Sequence, residues 1–171
     1  MERWFFVRLL LVLLVYLAQD VVHPLSFENT ETKDITKNNS PIESVVHVTG
    51  FNTPLSTLTV QIWLTHDYPG EVEIGLYGPD GSNVILSDKK GGEYKNVFAG
   101  TLFIDSAKDS VSTDLNSNVV VSPLKPEQPL SNFKGKNPNG QWKLQINDTG
   151  CRGTGKLTRF KLDIQGKVNY N

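Results

Sequence analysis

The stretch Leu58-Thr59-Val60-Gln61-Ile62-Trp63-Leu64 decides the fold of this 171-residue chain. Its even-numbered positions are all aliphatic, and its odd-numbered positions are polar except for Trp63. Successive side chains of a β-strand point to opposite faces of a sheet. The alternation therefore predicts a strand with one buried face.

The same period of two returns in three later segments, and shorter apolar runs lie between them. The alternating positions are Val72, Ile74 and Leu76, then Trp142, Leu144 and Ile146, then Phe160, Leu162 and Ile164. The shorter runs cover residues 45–48, 84–86, 97–104 and 119–121, and they also predict strands.

Turn-forming residues separate these segments. Pro79-Asp80-Gly81 supplies a preset φ, a side-chain acceptor and a residue that tolerates positive φ, so it should reverse the chain after Tyr77. Pro138-Asn139-Gly140 and the Gly-rich stretch 150–155 serve in the same way. So many turns between strands favour antiparallel pairing, and the sequence predicts an all-β, antiparallel, jelly-roll-like β-sandwich.

The N-terminus has the composition of an export signal. A charged head precedes an apolar run from Leu9 to Ala18, which predicts a signal peptide over residues 1–18 and a secreted, extracellular protein. The run is shorter than the ~20 apolar residues of a transmembrane helix, so we expect no stable membrane span. Residues 19–42 are polar and predict a disordered linker, 43–166 form the domain, and 167–171 are a tail.

Composition excludes some partners and bonds. Lys and Arg number 17 against 18 Asp and Glu, so no basic field exists to attract nucleic acid. Cys151 is the single cysteine, which excludes a disulfide within the chain. Asn38 and Asn147 each begin an Asn-x-Ser/Thr motif and are predicted glycosylation sites in an exported chain.

Four motifs occur in a fixed order along the chain. They are His66-Asp67-Tyr68-Pro69-Gly70-Glu71-Val72, Phe103-Ile104-Asp105-Ser106-Ala107, Leu130-Ser131-Asn132-Phe133-Lys134-Gly135 and Asn139-Gly140-Gln141-Trp142-Lys143-Leu144-Gln145-Ile146-Asn147-Asp148. This order resembles the P domain (P/Homo B domain) of the proprotein convertases, which are furin- and kexin-like, subtilisin-like serine proteases. The resemblance covers about residues 45–164.

The resemblance implies a galactose-binding-like sandwich that does not itself cut peptide bonds. In the family this domain follows a catalytic domain, supports its folding and stability, and tunes its dependence on calcium and pH. We therefore expect a secreted, noncatalytic module that docks to an exported protein, such as a subtilisin-like protease. In agreement, none of His23, His47 and His66 has a Gly-flanked Ser in its context, so no catalytic triad is recognisable.

The resemblance also implies calcium as a cofactor. The resemblance to calcium-binding P domains indicates Glu71, Asp105 and Asp148 as ligands, and Ca²⁺ prefers such oxygen donors. Two departures weaken an inherited site, because Glu71 stands where the family usually has Asp and Ile104 replaces the first acid of an Asp pair.

Two alternatives to the docking module remain open. The chain is a fragment of a calcium-dependent serine endopeptidase, or it is a calcium-dependent carbohydrate-binding sandwich. Sugar platforms in the second case would come from Trp63, Tyr68, Tyr77 and Tyr94, although core or rim packing explains these aromatic residues equally well.

Overall fold

The computed structural model describes residues 24–36, 40–113 and 115–166. Within these ranges the chain forms β1 Leu25–Asn29, β2 Lys33–Ile35, β3 Ile42–Val48, β4 Thr57–His66, β5 Val72–Tyr77, β6 Asn83–Asp88, β7 Ala99–Phe103, β8 Gly140–Asp148 and β9 Gly155–Gln165. Two 3₁₀ turns cover Pro69–Glu71 and Leu130–Phe133. The predicted signal peptide, His23, Asn38 and the tail lie outside the described residues.

The strands form two antiparallel sheets that pack face to face. One sheet has the order β1-β9-β4-β7, with β2 also paired to β9, and the other has the order β3-β8-β5-β6. The predicted all-β antiparallel sandwich is therefore confirmed. No helix in the described ranges is long and apolar enough to cross a membrane.

The core lies between the sheets and is built from the alternating positions of the sequence. Val60, Ile62 and Leu64 of β4 are fully buried, and so are their counterparts on β5, β8 and β9. Trp142 is 1% exposed, contacts Phe133 edge to face at 4.9 Å, and donates its indole N–H to the Pro138 carbonyl at 2.8 Å. Trp142 therefore fills the core as predicted, with its one polar atom satisfied.

The predicted reversal after Tyr77 is confirmed. The Gly78 N–H donates to the Ser82 carbonyl at 2.8 Å, and Gly81 has a φ of 80°, which a residue with a side chain rarely adopts. Strands β5 and β6 therefore form a hairpin, with Tyr77 opposite Asn83.

The expectation of a disordered linker over residues 19–42 is wrong for the segment that the structure describes. Strand β1 pairs with β9 from Leu25 opposite Ile164 onward, and β2 pairs with β9 beyond it. Ile35 is 2% exposed, and Leu25 and Phe27 pack against the core. These few apolar side chains carry enough buried surface to order a segment that is otherwise polar.

The strand predicted at residues 119–121 is absent, because this segment is a loop and Val119 is 64% exposed. The free edge of β7 is instead covered by the residues that follow. Leu124 donates its N–H to the Leu102 carbonyl at 2.8 Å, and the Ser122 hydroxyl accepts the Leu102 N–H at 3.1 Å. The edge is thus satisfied without a regular strand.

Candidate functional site

A buried histidine–aspartate pair lies where β4 and β8 end. His66 Nε2 is 3.3 Å from Asp148 Oδ2, and the two side chains are 0% and 1% exposed. The Tyr68 N–H donates to His66 Nδ1 at 3.0 Å, so Nδ1 is the acceptor and Nε2 carries the proton that points at Asp148. Both ring nitrogens are engaged, and neither is free to take a proton from a nucleophile.

The same end of the sandwich carries three loops, residues 66–71, 91–97 and 148–155, which we call the loop end. Arg152 joins them. Its Nε donates to Glu71 Oε1 at 2.8 Å, its backbone N–H donates to Glu71 Oε2 at 2.8 Å, and its Nη1 donates to Glu93 at 3.2 Å. The guanidinium also lies over the Tyr68 ring, 4.6 Å from its centroid. One side chain therefore links all three loops.

The loop of residues 148–155 closes tightly around the carboxylate of Glu71. The Glu71 side chain is 11% exposed. A Cβ at Gly150 would lie 1.9 Å from Glu71 Oε2, so this position has no room for a side chain while the carboxylate stays in place. Burial acts to raise the pKa of Glu71, but the hydrogen bonds from the Arg152 side chain and backbone outweigh it and lower that pKa. Glu71 is therefore an ionised carboxylate.

The loop end does not contain the third predicted calcium ligand. Asp105 follows β7, whose Phe103 pairs with Val60, whereas His66 ends the same strand β4 about 20 Å further along. The carboxylate of Asp105 accepts the N–H groups of Leu130 at 2.7 Å and Ser131 at 2.8 Å. Asp105 thus caps the second 3₁₀ turn at the opposite end of the sandwich.

The three predicted ligands therefore do not fit one calcium site. The structure brings Glu71 and Asp148 to the loop end, where Val72 pairs with Asp148, and leaves Asp105 apart. The Glu71 oxygens accept from Arg152, and Asp148 is engaged by His66 and by the Gly150 N–H at 3.1 Å. Among the residues described, no group of three or more His, Cys, Asp or Glu side chains is placed to hold a metal ion.

The candidate sugar platforms differ in what covers them. Cationic groups lie over the rings of Trp63, Tyr68 and Tyr77, at 4.4, 4.6 and 5.1 Å from the centroids. Tyr94 is the fourth candidate and is 40% exposed. Three of the four rings are thus already in contact with a side chain of the same chain.

Exposed apolar side chains lie on two neighbouring loops beside the loop end. In the described part of the chain, the exposed large hydrophobic residues are Tyr94, Val119 and Val120, at 40%, 64% and 37% exposure, and we call them the loop patch. Their two loops are joined by the Lys95 N–H, which donates to Asn118 Oδ1 at 2.6 Å. Contiguous exposed apolar surface commonly marks contact sites for other proteins, which makes the loop patch a candidate contact surface.

Sequence reasoning missed Arg152 and the loop patch. Arg152 meets Glu71 across 81 positions of the chain, and no local pattern indicates such a contact. The apolar run at residues 119–121 predicts a short strand, but the structure has a loop there. Its flanks, Asn116-Ser117-Asn118 and Pro123, are turn formers and were the available indication of a loop.

Two calcium-dependent proteases are similar to this chain in sequence. A calcium-dependent protease of Trichormus variabilis is 27% identical over 138 residues, and one of Nostoc sp. is 25% identical over the same length. Each match covers 79% of this chain and 18% of the relative, so the chain spans less than a fifth of these proteins.

Two solved structures of an Aeromonas sobria serine protease are also similar, one alone and one in complex with a chaperone. The complex matches with a TM-score of 0.48 at 16% identity, over 92% of this chain and 29% of that chain. The protease alone gives a TM-score of 0.47 at the same identity, over 90% and 29%. The family profile described as the proprotein convertase P-domain matches residues 55–164, more than half of the sequence. The chain belongs to the proprotein convertase P-domain family.

Proposed function

We propose that this chain is a secreted, noncatalytic P-domain module that works by docking to another exported protein, namely a subtilisin-like protease. Membership of the P-domain family and the protease names of the relatives support this partner class. The observation that carries the docking step is the loop patch, because in the part of the chain that the structure describes its side chains are the exposed large hydrophobic ones.

The loop patch has the build of a docking surface on a rigid base. Thr101 of β7 is buried, and the single hydrogen of its hydroxyl is shared between the carbonyls of Val97 at 3.1 Å and Val121 at 3.3 Å. One side chain of the sheet therefore contacts both loops, the one that ends at Val97 and the one that carries Val119 and Val120. A preformed apolar surface loses little conformational freedom on binding, which favours affinity.

The docking proposal is tested by measuring binding of the full chain to an active-site-blocked subtilisin-like protease by biolayer interferometry. Val119→Asp places a charge in the loop patch, and we expect the dissociation constant to rise about tenfold or more, since central apolar contacts dominate interface energy. Gln141→Asp adds the same charge at an exposed position on the other sheet and is the matched control.

The proposal is supported when the wild-type chain binds the protease, Val119→Asp weakens this binding and Gln141→Asp leaves it intact. Equal effects of the two variants would place the interface elsewhere, and no measurable binding of the wild-type chain to the protease would reject this partner class. Circular dichroism of each variant establishes that the fold is retained.

Absence of catalysis on this chain is part of the proposal. His66 is buried with both ring nitrogens engaged, and His47 lies exposed on β3, opposite Gln141. Proteolysis would then belong to the partner. The same reasoning applies if the chain is a piece of a longer calcium-dependent endopeptidase.

Export and glycosylation belong to the same proposal. Asn147 lies in β8 opposite Glu73, and its side chain alternates with the buried Ile146 and Asp148, so it points away from the core. The Thr149 hydroxyl of its motif donates to the Glu71 carbonyl at 3.2 Å. Because the folded motif is engaged in this way, we expect any glycan at Asn147 to be added before the strand pairs.

A further inference from the structure

The loop end gathers negative charge that needs a counter-cation. Asp67, Glu71, Glu93 and Asp148 all belong to its three loops or the strand ends beneath them. The relatives carry the words calcium-dependent in their names, and carboxylates collected at loop tips are a common setting for Ca²⁺. In this chain the four carboxylates are instead contacted by lysine, arginine and histidine side chains.

Each of the four carboxylates is already met by a side chain of the same chain. Asp67 pairs with the Lys95 ammonium at 3.3 Å, and Asp148 with the His66 ring at 3.3 Å. Glu71 and Glu93 share the Arg152 guanidinium, at 2.8 and 3.2 Å. The Thr154 N–H and the Lys95 ammonium lower the pKa of Asp67, which is consistent with an ionised and compensated group.

Arg152 occupies the position that a bridging cation would take. It contacts carboxylates from two loops, Glu71 and Glu93, and the loop that carries it supplies a backbone N–H to the same Glu71 carboxylate. Calcium requires six to eight oxygens at 2.3–2.6 Å. To bind Glu71 it would have to displace both the guanidinium and that N–H group.

We propose that Arg152 is the built-in counter-cation of the loop end, so that the fold of this chain does not depend on calcium. The side chain provides one positive charge and a planar fork of donors, and its stacking on Tyr68 holds the fork in place. This inference concerns stability and stands whether or not the loop patch binds a protease.

The experiment is a thermal melt of the full chain in EDTA and in millimolar CaCl₂, with MgCl₂ at equal ionic strength as the ion control. For the wild-type chain we expect the same melting temperature in all three conditions, within about 1 °C. For Arg152→Ala we expect a melting temperature lower by about 2–5 °C in EDTA, with part of the loss recovered in CaCl₂, because Glu71 and Glu93 then lack a cation.

Arg159→Ala is the matched control, because Arg159 also pairs with a glutamate, Glu28, and stacks on an aromatic ring, Trp63. It lies on the outer face of the β9 sheet, away from the loop end. We expect its melting temperature to fall without recovery in calcium.

A wild-type melting temperature that rises by several degrees in calcium overturns the inference. So does an Arg152→Ala chain whose response to calcium equals that of Arg159→Ala. If Arg152→Ala does not fold, Arg152→Gln, which keeps part of the length and hydrogen bonding, replaces it in the same comparison.

Discussion

Single charged side chains hold the turns of this domain, and Asp80 at the tip of the β5–β6 hairpin is a clear case. Its carboxylate accepts the Ser82 N–H at 3.1 Å and pairs with the Lys136 ammonium at 3.0 Å. The Ser82 hydroxyl, the Lys136 ammonium and the Ser82 N–H lower the pKa of Asp80 from 3.8 to about 2. One residue thus fixes its own turn and ties it to the loop that follows the second 3₁₀ turn.

The lowered pKa of Asp80 predicts a pH-dependent contribution to stability. A depressed pKa stabilises the fold above the unfolded value of 3.8, and this contribution is lost as the pH falls toward 2. Asp80→Asn keeps an oxygen for the Ser82 N–H and removes the charge, so we expect a loss of about 0.5 kcal/mol at pH 7, small because the pair is exposed. Urea denaturation at pH 7, 4 and 2.5 measures it, and a loss that stays constant across these values would contradict this reasoning.

Residue-scale features were only partly predictable from the sequence. The Gly-rich stretch 150–155 was predicted to form a turn, and the Gly150 N–H donates to Asp148 at its start. The sequence did not indicate that Asp105 caps a turn 25 positions away, or that Arg152 neutralises Glu71. Both contacts join residues distant in the chain, and only the folded topology brings them together.

At the scale of elements, the strands with clear alternation and those with short apolar runs were predicted, but β1 and β2 were not. The centres of β4, β5, β8 and β9 follow directly from their period of two, which reflects one buried face. Strand β1 has the same alternation in Leu25 and Phe27, but over a span too short to stand out from its polar surroundings. Its order comes from pairing with β9, which the local sequence does not show.

Strands β1 and β2 are therefore expected to be structural parts of the domain. A variant lacking residues 1–36 loses the buried Ile35 and uncovers an edge of β9. Loss of one large buried aliphatic side chain costs about 2–5 kcal/mol, so we expect at least that decrease in unfolding free energy and a tendency to aggregate through the freed edge. The control lacks only residues 1–23. Equal urea midpoints for the two shortened chains would show that β1 and β2 contribute nothing.

The side-chain networks described above lie at two opposite ends of the sandwich. Glu71, Asp148, Arg152 and the loops that carry the patch lie at one end, and the cap made by Asp105 lies at the other. Between them is a continuous apolar core with no disulfide, since Cys151 is the single cysteine of the sequence. The sandwich is therefore stabilised by packing, hydrogen bonds and ion pairs, without a disulfide within the chain.

The arrangement predicts that the purified chain does not hydrolyse peptide bonds. Peptide hydrolysis by a serine nucleophile requires an imidazole nitrogen free to accept its proton, and His66 has none. We expect no turnover of casein or of a fluorogenic dibasic peptide, with or without calcium, and no labelling by a fluorophosphonate probe. Turnover that copurifies with the chain and disappears on substitution of a single serine would contradict this.

Leu25 near the start of β1 and Ile164 near the end of β9 are direct partners, so the first and last described residues emerge side by side, away from Arg152 and Glu71. A fluorophore, a resin or a fused reporter attached at residue 24 or residue 166, the outer limits of the described domain, will accordingly leave the opposite end of the domain unobstructed. Immobilised in this orientation, the domain presents Tyr94 and its neighbours to a soluble ligand without steric interference from the support.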